Sequence, residues 1–176
     1  RFRVTVSLSN FVPKAHTPFQ WAAQNRPEEF IKKHDYLSGR LRIKGVNFNY
    51  HETKTSNLEA VFARGDRRVG RALEKAFRLG CKFDGWSEHL RYDLWEKAFD
   101  DTGIDMDFYA FRERGYDELL PWDIIDPLID KEFLVRENEK AKNAQVTPDC
   151  RLGCERCGIN KYAECFSEAE KGNANV

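Results

Sequence analysis

The chain has 176 residues, 41% of them hydrophobic and 13% aromatic, which is enough to bury a core and excludes wholesale disorder. Its 29 basic residues balance 29 acidic ones, so a globally basic nucleic-acid binder is disfavoured. No apolar run reaches membrane-spanning length and no secretory signal pattern is present, which predicts a cytoplasmic protein.

In chain order, Phe2, Val4, Val6 and Leu8 alternate with Arg3, Thr5, Ser7 and Ser9, the period of a strand with one polar face. A Pro-rich turn follows, from Phe11 to Trp21. Pro27 then opens a helix with Glu28 and Glu29 in its first turn and Phe30, Ile31, Leu37 and Leu41 on one broad face. After Gly45, Val46, Phe48 and Tyr50 alternate again, so residues 1–51 predict a parallel βαβ unit.

Residues 52–143 read as a helical extension. Ser56 and Glu59 have capping-box spacing, Gly65 stops that helix, and Asp66 caps a second one that ends at Gly80. Ser87 is expected to start a third helix, ending at Gly103, and a loop-rich stretch runs to Pro127. A last helix spans about Asp130 to Lys142. Residues 144–167 form a Cys-rich segment, and 168–176 a polar tail.

Four of the five cysteines stand at Cys150, Cys154, Cys157 and Cys165. Such clustering favours metal in a reducing compartment over a disulfide framework. Thiolates at these spacings suit structural zinc or an iron–sulfur cluster, and spacing alone leaves both open, along with free surface thiols. Cys81 reads as a small buried filler.

Other candidates are weaker. Lys14 and His16 lie in a turn after a strand C-terminus, where parallel sheets bind ligands, or are merely solvated on a Pro-braced turn. Arg64, Arg67 and Arg68 can clamp phosphate or carboxylate, with Asp66 a cap, or form a solvated charged face. Asp84, Trp86, Glu88 and His89 surround a Gly turn and suit a site-forming loop. Glu88 and His89 diverge by about 100° if helical and do not form an acid–base pair. The stretch Leu120 to Asp126 reads as packing around Trp122, with Asp123 and Asp126 as turn or cap residues.

Together these stretches carry a resemblance. Ser9 to Trp21 (SNFVPKAHTPFQW), Ala63 to Arg68 (ARGDRR), Phe83 to His89 (FDGWSEH), Pro121 to Asp126 (PWDIID), Lys131 to Leu134 (KEFL) and Thr147 to Arg151 (TPDCR) occur in that order. The chain thereby resembles the C-terminal part of uncharacterised cobalamin-binding-type radical SAM proteins. The resemblance implies an N-terminal part with a cobalamin-binding-like domain and a radical SAM barrel, whose 4Fe-4S cluster cleaves S-adenosylmethionine. Residues 1–51 would be the last elements of that TIM-like barrel, making the fold α/β to α+β. The helical extension and a small metal knuckle would follow.

The C-x3-C-x2-C spacing of Cys150, Cys154 and Cys157 is also that of the radical-generating motif. Only 19 residues follow Cys157, too few for a barrel, so an accessory centre is expected. The family closes this run with a cysteine soon after the Cys-Gly pair. Here Asn160 follows Cys157-Gly158-Ile159, and the next cysteine is Cys165. The implied partners are the radical SAM domain of the same protein and an RNA or ribosomal substrate. The alternative is a zinc-knuckle RNA-binding or structural interaction module.

Overall fold

A computed structural model describes residues 2–163. They fall into two compact units. The first comprises the residues up to Pro13 together with Ala22–Arg114. The second comprises Lys14–Trp21 together with the described residues from Gly115 onward.

In the first unit, β1 (Val4–Leu8) and β2 (Val46–Tyr50) pair in parallel, with Val4 opposite Val46 and Leu8 opposite Tyr50. Between them runs α1 (Pro27–Arg40), so the expected βαβ unit is present. The sheet has two strands among the described residues. The inward line of α1 differs from the expected one: Phe30 and His34 are buried, whereas Ile31 is 51% exposed. A four-residue step keeps Phe30 and His34 on one face. His34 is held there by stacking on Tyr50 (centroids 4.2 Å apart) and by Nε2 at 2.9 Å from Asn10 Oδ1.

Helix α2 (Thr53–Arg64) starts earlier than its Ser56 capping box suggests. Glu52 is the cap, its carboxylate accepting from Thr55 N at 3.0 Å. Ser56 is buried in the second turn and accepts instead from Asn10 Nδ2 at 2.9 Å. Then come α3 (Val69–Leu79), α4 (Tyr92–Thr102) and the short α5 (Met106–Ala110). Gly80 and Gly103 end α3 and α4 in the left-handed conformation, as expected. Asp66 accepts from Arg68 N at 2.8 Å just before α3. Ser87 does not start α4, because residues 83–89 form turns and the helix begins five residues later.

The core of this unit gathers Leu58, Val61, Trp95, Phe99 and Tyr109 around fully buried Ala72, Ala76 and Ala98. These alanines lie on α3 and α4, which pack on each other, and their small side chains permit close backbone approach. Cys81 is buried in the same core, and burial raises its thiol pKa.

The second unit carries α6 (Lys131–Lys142), starting beside Asp130 as expected, and a 3-10 turn at Ile159–Lys161. Its core is Trp21, Leu120, Trp122 and Leu134, with Tyr116 edge-on to Trp21 at 4.9 Å. The contacts thus group α6 with the cysteine segment and with the Lys14–Trp21 turn, rather than with α2–α5. Among the described residues the architecture is mixed α/β: six helices and one small parallel sheet. No helix among them is long and apolar enough to cross a membrane, and Cys81, Cys150, Cys154 and Cys157 are free thiols.

Candidate functional site

The turn from Lys14 to Trp21 is built by its own polar groups. Thr17 Oγ1 donates to Lys14 O at 2.8 Å, and Gln20 N donates to Thr17 O at 3.0 Å. Gln20, only 3% exposed, accepts at one oxygen from two donors, His16 N at 3.0 Å and Trp122 Nε1 at 2.6 Å. With Oε1 fixed in this way, the amide NH2 is what Gln20 still has to offer a ligand. His16 itself sits at φ 56°, a left-handed conformation in which a non-glycine residue is strained. Its Nε2 is buried without a hydrogen-bond partner.

His16 is one of the residues lining a cavity of about 320 Å³, formed wholly within the second unit. Gln20, Asp123, Asp126 and Lys131 line it with His16, and Ile125, Pro127 and Leu134 supply apolar wall. Each aspartate uses one oxygen to shape its own loop: Asp123 Oδ2 accepts from Leu120 N at 2.9 Å, and Asp126 Oδ1 accepts from Leu128 N at 2.8 Å. Their other oxygens remain as acceptors. Lys131, the first residue of α6, is half-buried and makes no ion pair among the described residues. The cavity therefore brings together an ammonium, a fixed amide, an imidazole and two carboxylates, from segments more than 100 residues apart in the chain.

The cysteine segment folds against the start of the same helix. Cys157 O accepts from Asp130 N at 2.8 Å, Lys161 Nζ pairs with Asp130 at 2.6 Å, and Arg136 donates to Glu155 O at 3.2 Å. Gly158, at φ 111°, is required here, since a Cβ would lie 2.8 Å from both Leu128 O and Asp130 N. Cys150 and Cys154 are exposed and Cys157 half-buried, all as free thiols, so the donor chemistry fits a soft metal or cluster. Among the described residues, however, no three His, Cys, Asp or Glu side chains are gathered in metal-holding geometry. Cys165 lies outside the described residues.

The other expected site residues belong to the first unit. Arg64 is fully buried, donating to Ala110 O at 2.6 Å and Arg112 O at 2.7 Å, while its own carbonyl accepts from Arg114 at 2.7 Å. These bonds make it a brace for α5 and the irregular residues that follow it, not a surface clamp. Asp66 and Arg68 pair at 2.6 Å, and the guanidinium holds the Asp66 carboxyl down to about 2. Arg67 is exposed. Asp84 has one buried oxygen without a partner. Trp86, Glu88 and His89 are exposed, with Trp86 edge-on to Phe83 at 6.0 Å and His89 at 6.2 Å from the same ring. The turn before α4 leaves Trp86 58% exposed. Lys14 and His16 thus share a unit with the cysteines, while Arg64–Arg68 and Asp84–His89 do not.

The first unit has a larger cavity of about 460 Å³, bounded by Phe11, Phe30, Leu37 and His34. Its rim Lys32 is already paired with Glu29 at 2.7 Å, and His34 has its Nε2 on Asn10. None of the residues lining it is an Asp or Glu, whereas Asp123 and Asp126 line the cavity beside His16.

No family model matches the chain, and no solved structure matches it. Among curated proteins, a stretch of 106 residues is 24% identical to an uncharacterized protein of Methanocaldococcus jannaschii. The match covers 58% of this chain and 22% of that protein, so the chain spans well under half of the relative's length.

Proposed function

We propose that this chain is the substrate-facing C-terminal region of a radical SAM enzyme, carrying an accessory metal centre on Cys150, Cys154 and Cys157. Its partner is a radical SAM domain of the same protein. What supports the reading is a single convergence. Three of the stretches that carry the family resemblance, Ser9 to Trp21, Pro121 to Asp126 and Lys131 to Leu134, each supply polar side chains to one cavity. Packing alone does not require an unpartnered imidazole nitrogen and an unpaired lysine at the same hollow.

In this reading each side chain has a defined task. Lys131 and the Gln20 amide hold an oxygen of the substrate by charge and by directed N–H bonds. Asp123 and Asp126 accept hydrogen bonds from it. The braced turn fixes His16 in the cavity wall, so the site needs little reorganisation. The cysteine segment would hold its metal, and it is anchored at Asp130, the residue next to Lys131. When bound, an iron–sulfur centre there supplies electron transfer or an open coordination site, and zinc would supply only cross-linking.

Anaerobic isolation with iron, sulfide and zinc counted per chain tests the metal part. Stoichiometric iron and sulfide, lost together in the Cys150, Cys154 and Cys157 serine variants, is the expected result. A colourless chain whose cysteine variants retain all bound metal would overturn it.

A further inference from the structure

The polar groups around the His16 cavity carry both signs of charge, and this restricts what can occupy it. An unpaired ammonium (Lys131) and a carbonyl-locked amide (Gln20) call for an anionic or carbonyl oxygen. The free oxygens of Asp123 and Asp126 call for a donor, and most strongly for a cation. A simple anion would sit against two carboxylates, and a simple cation against Lys131. One molecule carrying both charges satisfies the whole lining. The volume of about 320 Å³ lies at the small end of ligand cavities, and Ile125 and Leu134 leave room for a short apolar group.

We propose that this cavity binds a small zwitterion of the amino-acid class. Its carboxylate meets Lys131 and the Gln20 amide, its ammonium meets Asp123 and Asp126, and the His16 side chain forms part of the wall beside it. The proposal rests on reading the cavity as the substrate-facing site and names the class of molecule, or of substrate end group, that enters it. Gln20 gives discrimination: because Trp122 and His16 fix which end of its amide points inward, it presents donors only.

The test is an NMR titration of the full 176-residue chain, following the His16 ring resonances with L-alanine, sodium acetate and methylammonium chloride in turn. L-Alanine is expected to give a saturable shift, at an affinity about ten-fold or more above either singly charged probe. Lys131→Met and Asp126→Asn each weaken L-alanine about ten-fold or more, and Lys131→Arg, which keeps the charge, retains binding. Acetate binding as tightly as L-alanine, with Asp126→Asn silent, would mean an anion site and overturn the proposal. So would the absence of a saturable shift with all three probes in the wild-type chain, where folding is not in question. The titration needs no metal and no radical chemistry. Alanine binding by a chain whose cysteines hold no metal would therefore sink the accessory-centre reading alone, and a metal-loaded chain without alanine binding would sink this proposal alone.

Discussion

Arg64 in the first unit and Gln20 with His16 in the second differ in how their buried polar groups are satisfied. In the first, Arg64 is fully buried and its guanidinium bonds to the backbone carbonyls of Ala110 and Arg112. In the second, Gln20 is almost as buried, yet its oxygen alone is tied down, and the neighbouring His16 Nε2 has no partner. Desolvating a polar group is unfavourable in both places. Where the group is joined to backbone it acts as scaffold, and where capacity is left over beside a cavity it is available to a ligand. The contrast gives Arg64 a structural role and leaves His16 as the site candidate, although both were candidates in the sequence.

Perturbing each region should separate these roles. Arg64→Met removes the donors for two buried carbonyls and should cost about 3–5 kcal/mol in urea unfolding of the first unit. If instead it changed ligand binding with little loss of stability, the scaffold assignment would be wrong. Trp122→Phe keeps the ring in the second core but removes the N–H that orients Gln20. It should cost about 1–3 kcal/mol and weaken ligand binding at the cavity, whereas a stability loss without a binding change would break the link between core and site. Gly158→Ala, forced against Leu128 O and Asp130 N at a left-handed position, should cost about 1–3 kcal/mol and loosen metal retention by the cysteine segment.

Acidity gives the smaller effects. Burial lowers the pKa of His34, so the unfolded chain binds its proton first. The resulting stability is fully present above the unfolded value of about 6.5 and is lost as pH falls through the folded pKa. His34→Gln should flatten that slope in the first unit. Asp66, held at about 2 by Arg68, contributes above its unfolded value of about 3.9 and loses that contribution as pH falls toward 2. Asp66→Asn should remove this slope, with a small effect at neutral pH because Arg68 is largely exposed.

How far the sequence reached follows from distance along the chain. The βαβ unit, the glycine stops of α3 and α4 and the Asp130 start of α6 were legible because period, cap and terminator lie within a few residues of each other. The start of α2 was misplaced because Ser56 has cap chemistry but is claimed by Asn10, which stands 46 residues away. The turn carrying His16 was legible as a turn from its prolines and its place after a strand. Its partners were not: Asp123 and Asp126 do cap their loop as the pattern suggests, and nothing local shows that each keeps an oxygen for a cavity. Gln20 was missed altogether, since its meaning depends on Trp122, 102 residues further on. Asparagines, glutamines and lone lysines become informative only when packing shows which of their bonds are already made.

The central claim, that this chain serves a radical SAM enzyme without generating the radical itself, meets its most direct test in 5′-deoxyadenosine formation under reducing, anaerobic conditions. The natural full-length polypeptide is expected to cleave S-adenosylmethionine, to keep doing so after serine substitution of Cys150, Cys154 and Cys157, and the isolated 176 residues are expected to form none. Cleavage by the isolated chain, or none by the full-length protein, would contradict the account.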